Sequence, residues 1–321
     1  MKNNISEFYK KGGLNVVKIL ITGVNGFIGR YLSRECIRYG LDVIGIGREP
    51  ASIVYGIKYH QMDLYTDSID KLLRQYEPDA VIHCAGVADV NYSISYPDRD
   101  FALNVMVSRK ILYTIKECLP NARFIFLSSA AVYGNPQKLP VTENDRLNPI
   151  SPYALHKMLV ENICQYFVKQ FDLDIRILRI FSAYGNGLKK QIFWDMGQKI
   201  SKLGQLEMFG TGNETRDFIH IADLVNAIFL ILNAPRENEV IYNVANGNEI
   251  SIRKAAEIFC EKFGKEAEII KFNNHAREGN PLNWCADISR LKKLGYVQKV
   301  EIEYGIQKYV EWLKDVDSEE L

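Results

Sequence analysis

Val16-Val-Lys-Ile-Leu-Ile-Thr22 runs directly into Gly23-Val-Asn-Gly26-Phe-Ile-Gly29, and this stretch decides the fold. The first part is a short β-branched run with one lysine and reads as a buried strand, whereas Phe27 to Tyr39 has the apolar spacing of a helix. Three glycines therefore fall in the turn between a first strand and a first helix. Glycines there allow a tight turn, let backbone amides approach a pyrophosphate and permit close packing of helix on strand, while the helix N-terminus offers partial positive charge. The spacing, Gly-x-x-Gly-x-x-Gly, is one residue longer in its first gap than the Gly-x-Gly-x-x-Gly fingerprint.

Outward from this turn, strands are expected at 16 to 22, 42 to 46, 57 to 61, 80 to 84, 123 to 128 and 174 to 180, with helices between them and a long helix from Pro152 to Phe171. Such alternation implies the α/β class, a Rossmann-type doubly wound parallel sheet. After Ile180 the pattern breaks: about 182 to 219 and 265 to 286 carry loops, short strands and a helix around Ile192 to Leu203, and 220 to 264 returns to helix, strand, helix. The expected division is a flexible N-terminal extension over 1–15, a dinucleotide-binding domain over 16–181 plus about 220–264, and a smaller interleaved substrate lobe over about 182–219 and 265–321.

A second signal lies in Ser151-Pro-Tyr-Ala-Leu-His-Lys157. On a helix, Tyr153 and Lys157 share one face four residues apart, where a cation favours the phenolate and lowers the tyrosine pKa toward the range useful for proton transfer. Tyrosine and lysine at this spacing are also common on solvated faces; the glycine turn upstream turns the pair into an acid/base candidate.

The two motifs together resemble the extended short-chain dehydrogenase/reductase family, in particular its nucleotide-sugar epimerases, dehydratases and reductases. Further segments resemble family signatures in family order: Asp63-Leu64, Val81-Ile-His-Cys-Ala-Gly86, Leu127-Ser-Ser-Ala-Ala-Val-Tyr-Gly134, Leu178-Arg-Ile-Phe-Ser-Ala-Tyr-Gly185 and Arg216-Asp-Phe-Ile-His-Ile-Ala-Asp223. The resemblance implies Ser129, Tyr153 and Lys157 as catalytic residues. It implies cofactor contacts at Gly23, Gly26, Phe27, Ile28, Gly29, Arg48, Asp63, Leu64, Ala85, Asn104, Tyr153 and Lys157, and substrate contacts at Ser129, Ser182, Arg216 and Arg277. Asn104 would brace the active-site backbone, and the two arginines would grip the diphosphate of a nucleotide-diphosphate sugar, a task suited to guanidinium forks.

At the end of the second strand, Val43-Ile-Gly-Ile-Gly-Arg48 places Arg48 where NAD-binding relatives usually carry an acid for the ribose 2′-hydroxyl. An arginine accommodates a 2′-phosphate, so the sequence leans to NADP and leaves NAD open. Dehydratases resembling this chain carry Asp-Glu after the catalytic Thr; Ala130 and Ala131 stand there, which disfavours 4,6-dehydration. What remains is redox chemistry at a carbinol carbon. The expected activity is an NAD(P)-dependent 4-epimerase of nucleotide sugars, of the kind that supplies precursors of cell-surface polysaccharide. The alternatives are an NADPH-dependent 4-keto-sugar reductase and a non-catalytic dinucleotide sensor.

Composition bounds the remaining classes. With 321 residues, 47% apolar and 25% charged, the chain can bury one large core or a large and a small one. A net charge of +1 offers no basic patch for nucleic acid. Six scattered cysteines without a Cys-x-x-Cys read as free thiols of a reducing compartment, and no metal site is expected. No apolar run approaches a membrane span and the first fifteen residues lack the core of a secretory signal, so a cytoplasmic protein with no membrane partner is expected. The resemblance implies a homodimer built on the Pro152–Phe171 helix and the helix around Asn104.

Overall fold

The computed structural model describes residues 18–275, 279 and 281–319. The expected N-terminal extension and Arg277 lie outside the described residues. The strands are β1 (Lys18–Thr22), β2 (Asp42–Gly47), β3 (Lys58–Gln61), β4 (Ala80–His83), β5 (Arg123–Ser129), β6 (Ile175–Ile180), β7 (Ser182–Tyr184), β8 (Leu206–Met208), β9 (Thr215–His220), β10 (Ile241–Val244), β11 (Glu249–Ser251) and β12 (Ile270–Phe272). Seven form one parallel sheet in the order β10-β6-β5-β4-β1-β2-β3. The near-continuous apolar runs of the inner strands, such as the buried Ile19, Leu20 and Ile21 of β1, follow from helices covering both faces, whereas the edge strand β3 is polar and partly exposed.

Strand order reverses between β1 and β4, which pair with Thr22 opposite His83. A crevice opens at such a switch point, outside the carboxyl ends of the strands. Both Gly23 and Cys84 follow directly from those ends. Two apolar clusters, one around Ile21, Val43 and Phe229 and one around Leu20, Phe124 and Phe167, hold the covering helices to the sheet.

A third cluster is built around Tyr184, Phe193, Met196, Phe218 and Tyr309, in the part of the chain where a smaller lobe is expected. Its sheets are β11-β9-β7 and β12-β8. The helix Ile252–Phe263, which the sequence pattern places with the dinucleotide-binding part, contributes Ala255, Phe259 and Cys260 to this third cluster. The reason is local: β11 pairs antiparallel with β9 in the lobe, and the Ser251 hydroxyl caps the next helix by accepting from Lys254 N at 3.1 Å.

The helix Pro152–Phe171 starts where its sequence dictates. Ser151 Oγ accepts from Ala154 N at 3.2 Å and Pro152 occupies the first turn, a position where its missing N–H costs nothing. Between the helices Pro97–Phe101 and Val107–Cys118 the chain makes one π-helical turn, Ala102–Met106, which carries Asn104. Such turns recur at functional sites.

Candidate active site

Around the glycine turn lies a cleft of about 200 Å³, lined in part by Gly23, Gly26, Arg48, Asp63, Leu64 and Ala85. The turn is closed to side chains. Gly23 has φ +67°, and a Cβ there would stand 2.8 Å from the backbone of Ala85; a Cβ on Gly29 would stand 2.2 Å from the carbonyl oxygen of Gly23. The helix Phe27–Arg38 begins at Gly26 with no side chain capping it. Its first backbone N–H groups are thus left for an anion, with the helix dipole behind them. Phe27 and Ile28 stand in that first turn, and the Phe27 ring packs against both the main core and the lobe. This uncapped helix end, on a turn packed so tightly that only glycine fits at Gly23 and Gly29, fits a dinucleotide.

At the far end of the cleft, Arg48 is exposed and Glu49 stands beside it as a second lining residue. Asn25 Nδ2 donates to Glu49 Oε2 at 3.1 Å, and the Tyr59 hydroxyl donates to the Glu49 carbonyl at 2.5 Å. Sequence reasoning stopped at Arg48 and missed this acid, although it lies only two residues past the end of β2.

Below the turn a hydrogen-bond chain fixes the floor. Ala85 N donates to Thr22 Oγ1 at 3.1 Å, and Thr22 Oγ1 lies 2.7 Å from His83 Nδ1; because the Ser108 hydroxyl spends its proton on the Asn104 carbonyl, the neutral His83 ring must donate from Nε2 and accept from the Thr22 hydroxyl at Nδ1. His83 Nε2 therefore carries the proton and donates to Ser108 Oγ at 3.1 Å, and Ser108 donates to the Asn104 carbonyl at 2.6 Å. Burial and the Lys157 cation push the His83 imidazolium pKa down to about 3, so the ring stays neutral and the chain keeps one direction. Asn104 Nδ2 also donates to the Val87 carbonyl at 3.1 Å, bracing the loop after β4.

Ser129 ends β5 and caps the short 3-10 turn Ala130–Tyr133, its Oγ accepting from Ala131 N at 3.2 Å. Tyr153 and Lys157 lie one helical turn apart and both are buried. Lys157 Nζ donates to the Leu127 carbonyl at 2.9 Å and lies 4.8 Å from the Phe126 ring centre and 5.8 Å from that of Tyr153. Ser129, Tyr153 and Lys157 are thus brought together.

One expectation is reversed. The cation was expected to lower the Tyr153 pKa, whereas burial pushes it up to about 12, countered in part by a side-chain hydrogen bond with Ser129 and reinforced by Asp100. The physical reason is position: the ammonium lies over the tyrosine ring and is committed to Leu127. Burial likewise lowers Lys157 to about 8, against Asp100, Cys84, Glu161 and Cys164, which raise it.

Behind the site, Arg179 and Glu161 form a fully buried pair at 2.7 Å, and Ser128 donates to Glu161 Oε1 at 2.5 Å. Arg179 also donates to the Tyr133 hydroxyl at 2.9 Å, which in turn donates to Asn243 Oδ1 at 2.7 Å. These contacts fasten β5, β6, β10 and the 3-10 turn into one frame beneath Ser129.

In the lobe, Ser182 is the first residue of β7, partly buried and paired with Phe218 of β9. The Arg216 guanidinium sits 5.3 Å from the Trp284 ring centre, Nη1 donating to the carbonyls of Thr215 at 2.7 Å and Leu282 at 3.1 Å, and Nη2 to that of Pro281 at 2.9 Å. Burial lowers its pKa to about 10, which still leaves it cationic at neutral pH. It is thereby held beside the segment that leads back toward Arg277. Its neighbour Asp217 is buried and accepts from the backbone N–H groups of Asn246, Gly247 and Ala286. All six cysteines are free thiols. No helix among the described residues is long and apolar enough to cross a membrane.

A putative UDP-glucose 4-epimerase of Methanocaldococcus jannaschii is 30% identical over 309 residues, covering 92% of this chain and 98% of that protein. A UDP-glucuronate 4-epimerase of Thermodesulfobacterium geofontis is 27% identical over 314 residues, covering 92% of this chain and 96% of its own. Among solved structures, a UDP-glucuronic acid 4-epimerase from Bacillus cereus, in complex with UDP-glucuronic acid and NAD, superposes with a TM-score of 0.84 at 26% identity, covering 93% of this chain and 99% of that one. The sequence model of the NAD dependent epimerase/dehydratase family matches residues 19–245, and the chain belongs to that family.

Proposed function

We propose that this protein is an NAD-dependent 4-epimerase of a nucleotide-diphosphate sugar, with a UDP-linked hexose or hexuronate as its substrate class. The observation that carries the reading is the meeting of Ser129, Tyr153 and Lys157 at the sheet edge that also bears the glycine cleft, in a chain whose relatives with these lengths are named UDP-sugar 4-epimerases. A cell-surface precursor role is consistent with such substrates.

The residues divide the work by chemistry. Gly23, Gly26 and the amides at Phe27, Ile28 and Gly29 would hold the pyrophosphate, and Asp63, Leu64 and Ala85 the adenosine side. Bound nicotinamide supplies a hydride acceptor that can return what it takes. As its phenolate, Tyr153 would accept the proton of the sugar C4 hydroxyl, the positive charge of bound oxidised nicotinamide offsetting the burial that otherwise keeps the phenol protonated; Ser129 would donate a hydrogen bond to the oxygen as charge shifts onto it, and Lys157 keeps the phenol-bearing helix docked on β5. Arg216 would carry the diphosphate. Ala130 and Ala131 provide no acid for water elimination, which favours epimerisation over 4,6-dehydration.

We infer NAD in place of NADP. The Glu49 carboxylate stands beside Arg48 at the cleft end, where it suits a ribose 2′-hydroxyl and repels a 2′-phosphate. A homodimer is favoured by the exposed Phe101, Met106, Tyr113, Leu155 and Tyr166, all on the adjoining helical segments 97–118 and 152–171.

The test is to incubate the purified protein and NAD with UDP-glucose, UDP-glucuronate and UDP-N-acetylglucosamine, and to follow the sugar signals by NMR. A 4-epimer forming with no net change in reduced cofactor supports the reading. Stoichiometric consumption of NADPH with a 4-keto sugar supports a reductase in its place.

A further inference from the structure

A second acid lies behind the catalytic pair, and no part of the proton transfer described above uses it. Asp100 is wholly buried. Its Oδ2 accepts from His156 Nδ1 at 2.6 Å and its Oδ1 accepts from Asn104 Nδ2 at 3.0 Å. Because a carboxylate only accepts, His156 Nδ1 carries the proton. His156 is the residue before Lys157 on the helix that also bears Tyr153, and its ring packs edge-on against Phe101 at 5.4 Å. Asn104 donates from the same Nδ2 to the Val87 carbonyl at 3.1 Å. One carboxylate therefore ties the catalytic helix, the π-helical turn and the loop after β4 together.

We propose that Asp100 is a positioning residue of the reaction: through His156 it sets the Tyr153 and Lys157 helix, through Asn104 the loop at Val87, and it holds a fixed negative charge against the acid/base pair. This inference rests on the reading of Tyr153 as the acid/base group. Burying a carboxylate is costly unless it is fully paired, as Asp100 is by His156 and Asn104, and a buried carboxylate beside a phenol and an ammonium favours the protonated form of both. The groups facing Tyr153 are Ser129, Asp100 and, over its ring at 5.8 Å, Lys157; those facing Lys157 are Asp100, Cys84, Glu161, Cys164 and the neutral His83. Asp100 is the one ionisable group common to both sets, and its charge raises both pKa values.

Removing that charge moves both titrations the same way. Asp100→Asn is expected to displace the whole bell of kcat/KM against pH, measured with whichever UDP-sugar the wild type turns over, to lower pH by about one pH unit. Asp100→Glu, which keeps the charge, leaves the bell in place and lowers only its height. A second readout needs no substrate: the tyrosinate absorbance that distinguishes the protein from Tyr153→Phe should reach its half-rise about one pH unit lower in the Asp100→Asn background. If the lone amide does not fold, Asp100→Asn/His156→Gln replaces the pair by two amides able to hydrogen-bond each other and is read in the same way. A bell reduced in height but unmoved, with an unmoved tyrosinate rise, would overturn the inference. Full turnover in Tyr153→Phe would instead overturn the reading of the site, whatever Asp100 does.

Discussion

The ammonium of Lys157 donates to the main-chain carbonyl of Leu127 at 2.9 Å, so the helix bearing the candidate base is fastened to the strand bearing Ser129. That fastening buries a cation. Burial lowers its folded pKa to about 8, below the 10.5 of a free lysine, so between those two values the unfolded chain binds more protons and stability rises with pH. Wild type should gain stability relative to Lys157→Met as pH rises through that window. Urea titrations of both proteins below pH 8 and above pH 10 measure it; parallel curves would show that the ammonium is not desolvated in the folded state.

Gly29→Ala brings a methyl group to 2.2 Å from the Gly23 carbonyl oxygen, a backbone atom that cannot swing away. The turn must open, at a cost of roughly 1–3 kcal/mol for overpacking, and its amides lose their aim. NAD affinity by calorimetry should fall at least tenfold, with a lower Tm. Unchanged affinity would mean that the pyrophosphate is held elsewhere.

Glu49 decides cofactor choice if the cleft takes a ribose where it lies. Glu49→Gln removes the charge that repels a 2′-phosphate and leaves Arg48 beside it, so the ratio of NADP to NAD affinity should rise about tenfold, the size of one charge interaction near ~1.4 kcal/mol. An unchanged ratio would place the 2′ position away from Glu49.

Glu161→Ala strands the Arg179 guanidinium, which is buried and paired with it at 2.7 Å. A stranded buried charge costs about 3–5 kcal/mol, whereas replacing both partners by apolar groups is often near neutral. Denaturant unfolding should show a large loss for Glu161→Ala and a smaller one for Glu161→Met/Arg179→Met. Equal losses would mean that the polar frame under Ser129 tolerates no apolar substitute.

The parallel sheet was legible because its signal is local: β-branched runs such as Ile19–Ile21 and a Gly-rich turn sit next to each other in sequence. The placement of Tyr153 and Lys157 on one helix, a single turn apart, was legible for the same reason. What the sequence hid is contact across distance. Asp100 and His156 are 56 positions apart, and nothing in either segment announces that they meet. The packing of the Ile252–Phe263 helix in the third cluster was likewise hidden, because it follows the pairing of β11 with β9, a contact between segments distant in sequence. The direction of the Tyr153 shift was misjudged because spacing gives proximity to a cation but not the depth of burial that outweighs it.

The central claim is that a hydride leaves C4 of the sugar and returns to that carbon while Tyr153 handles the proton. Its most direct test follows a UDP-sugar bearing deuterium at C4, turned over in ordinary water with catalytic NAD. The proposal predicts a 4-epimer that keeps its deuterium at C4, with turnover reduced ~100-fold or more in Tyr153→Phe. A product that has lost the label to solvent, or undiminished turnover without the phenol, would contradict it.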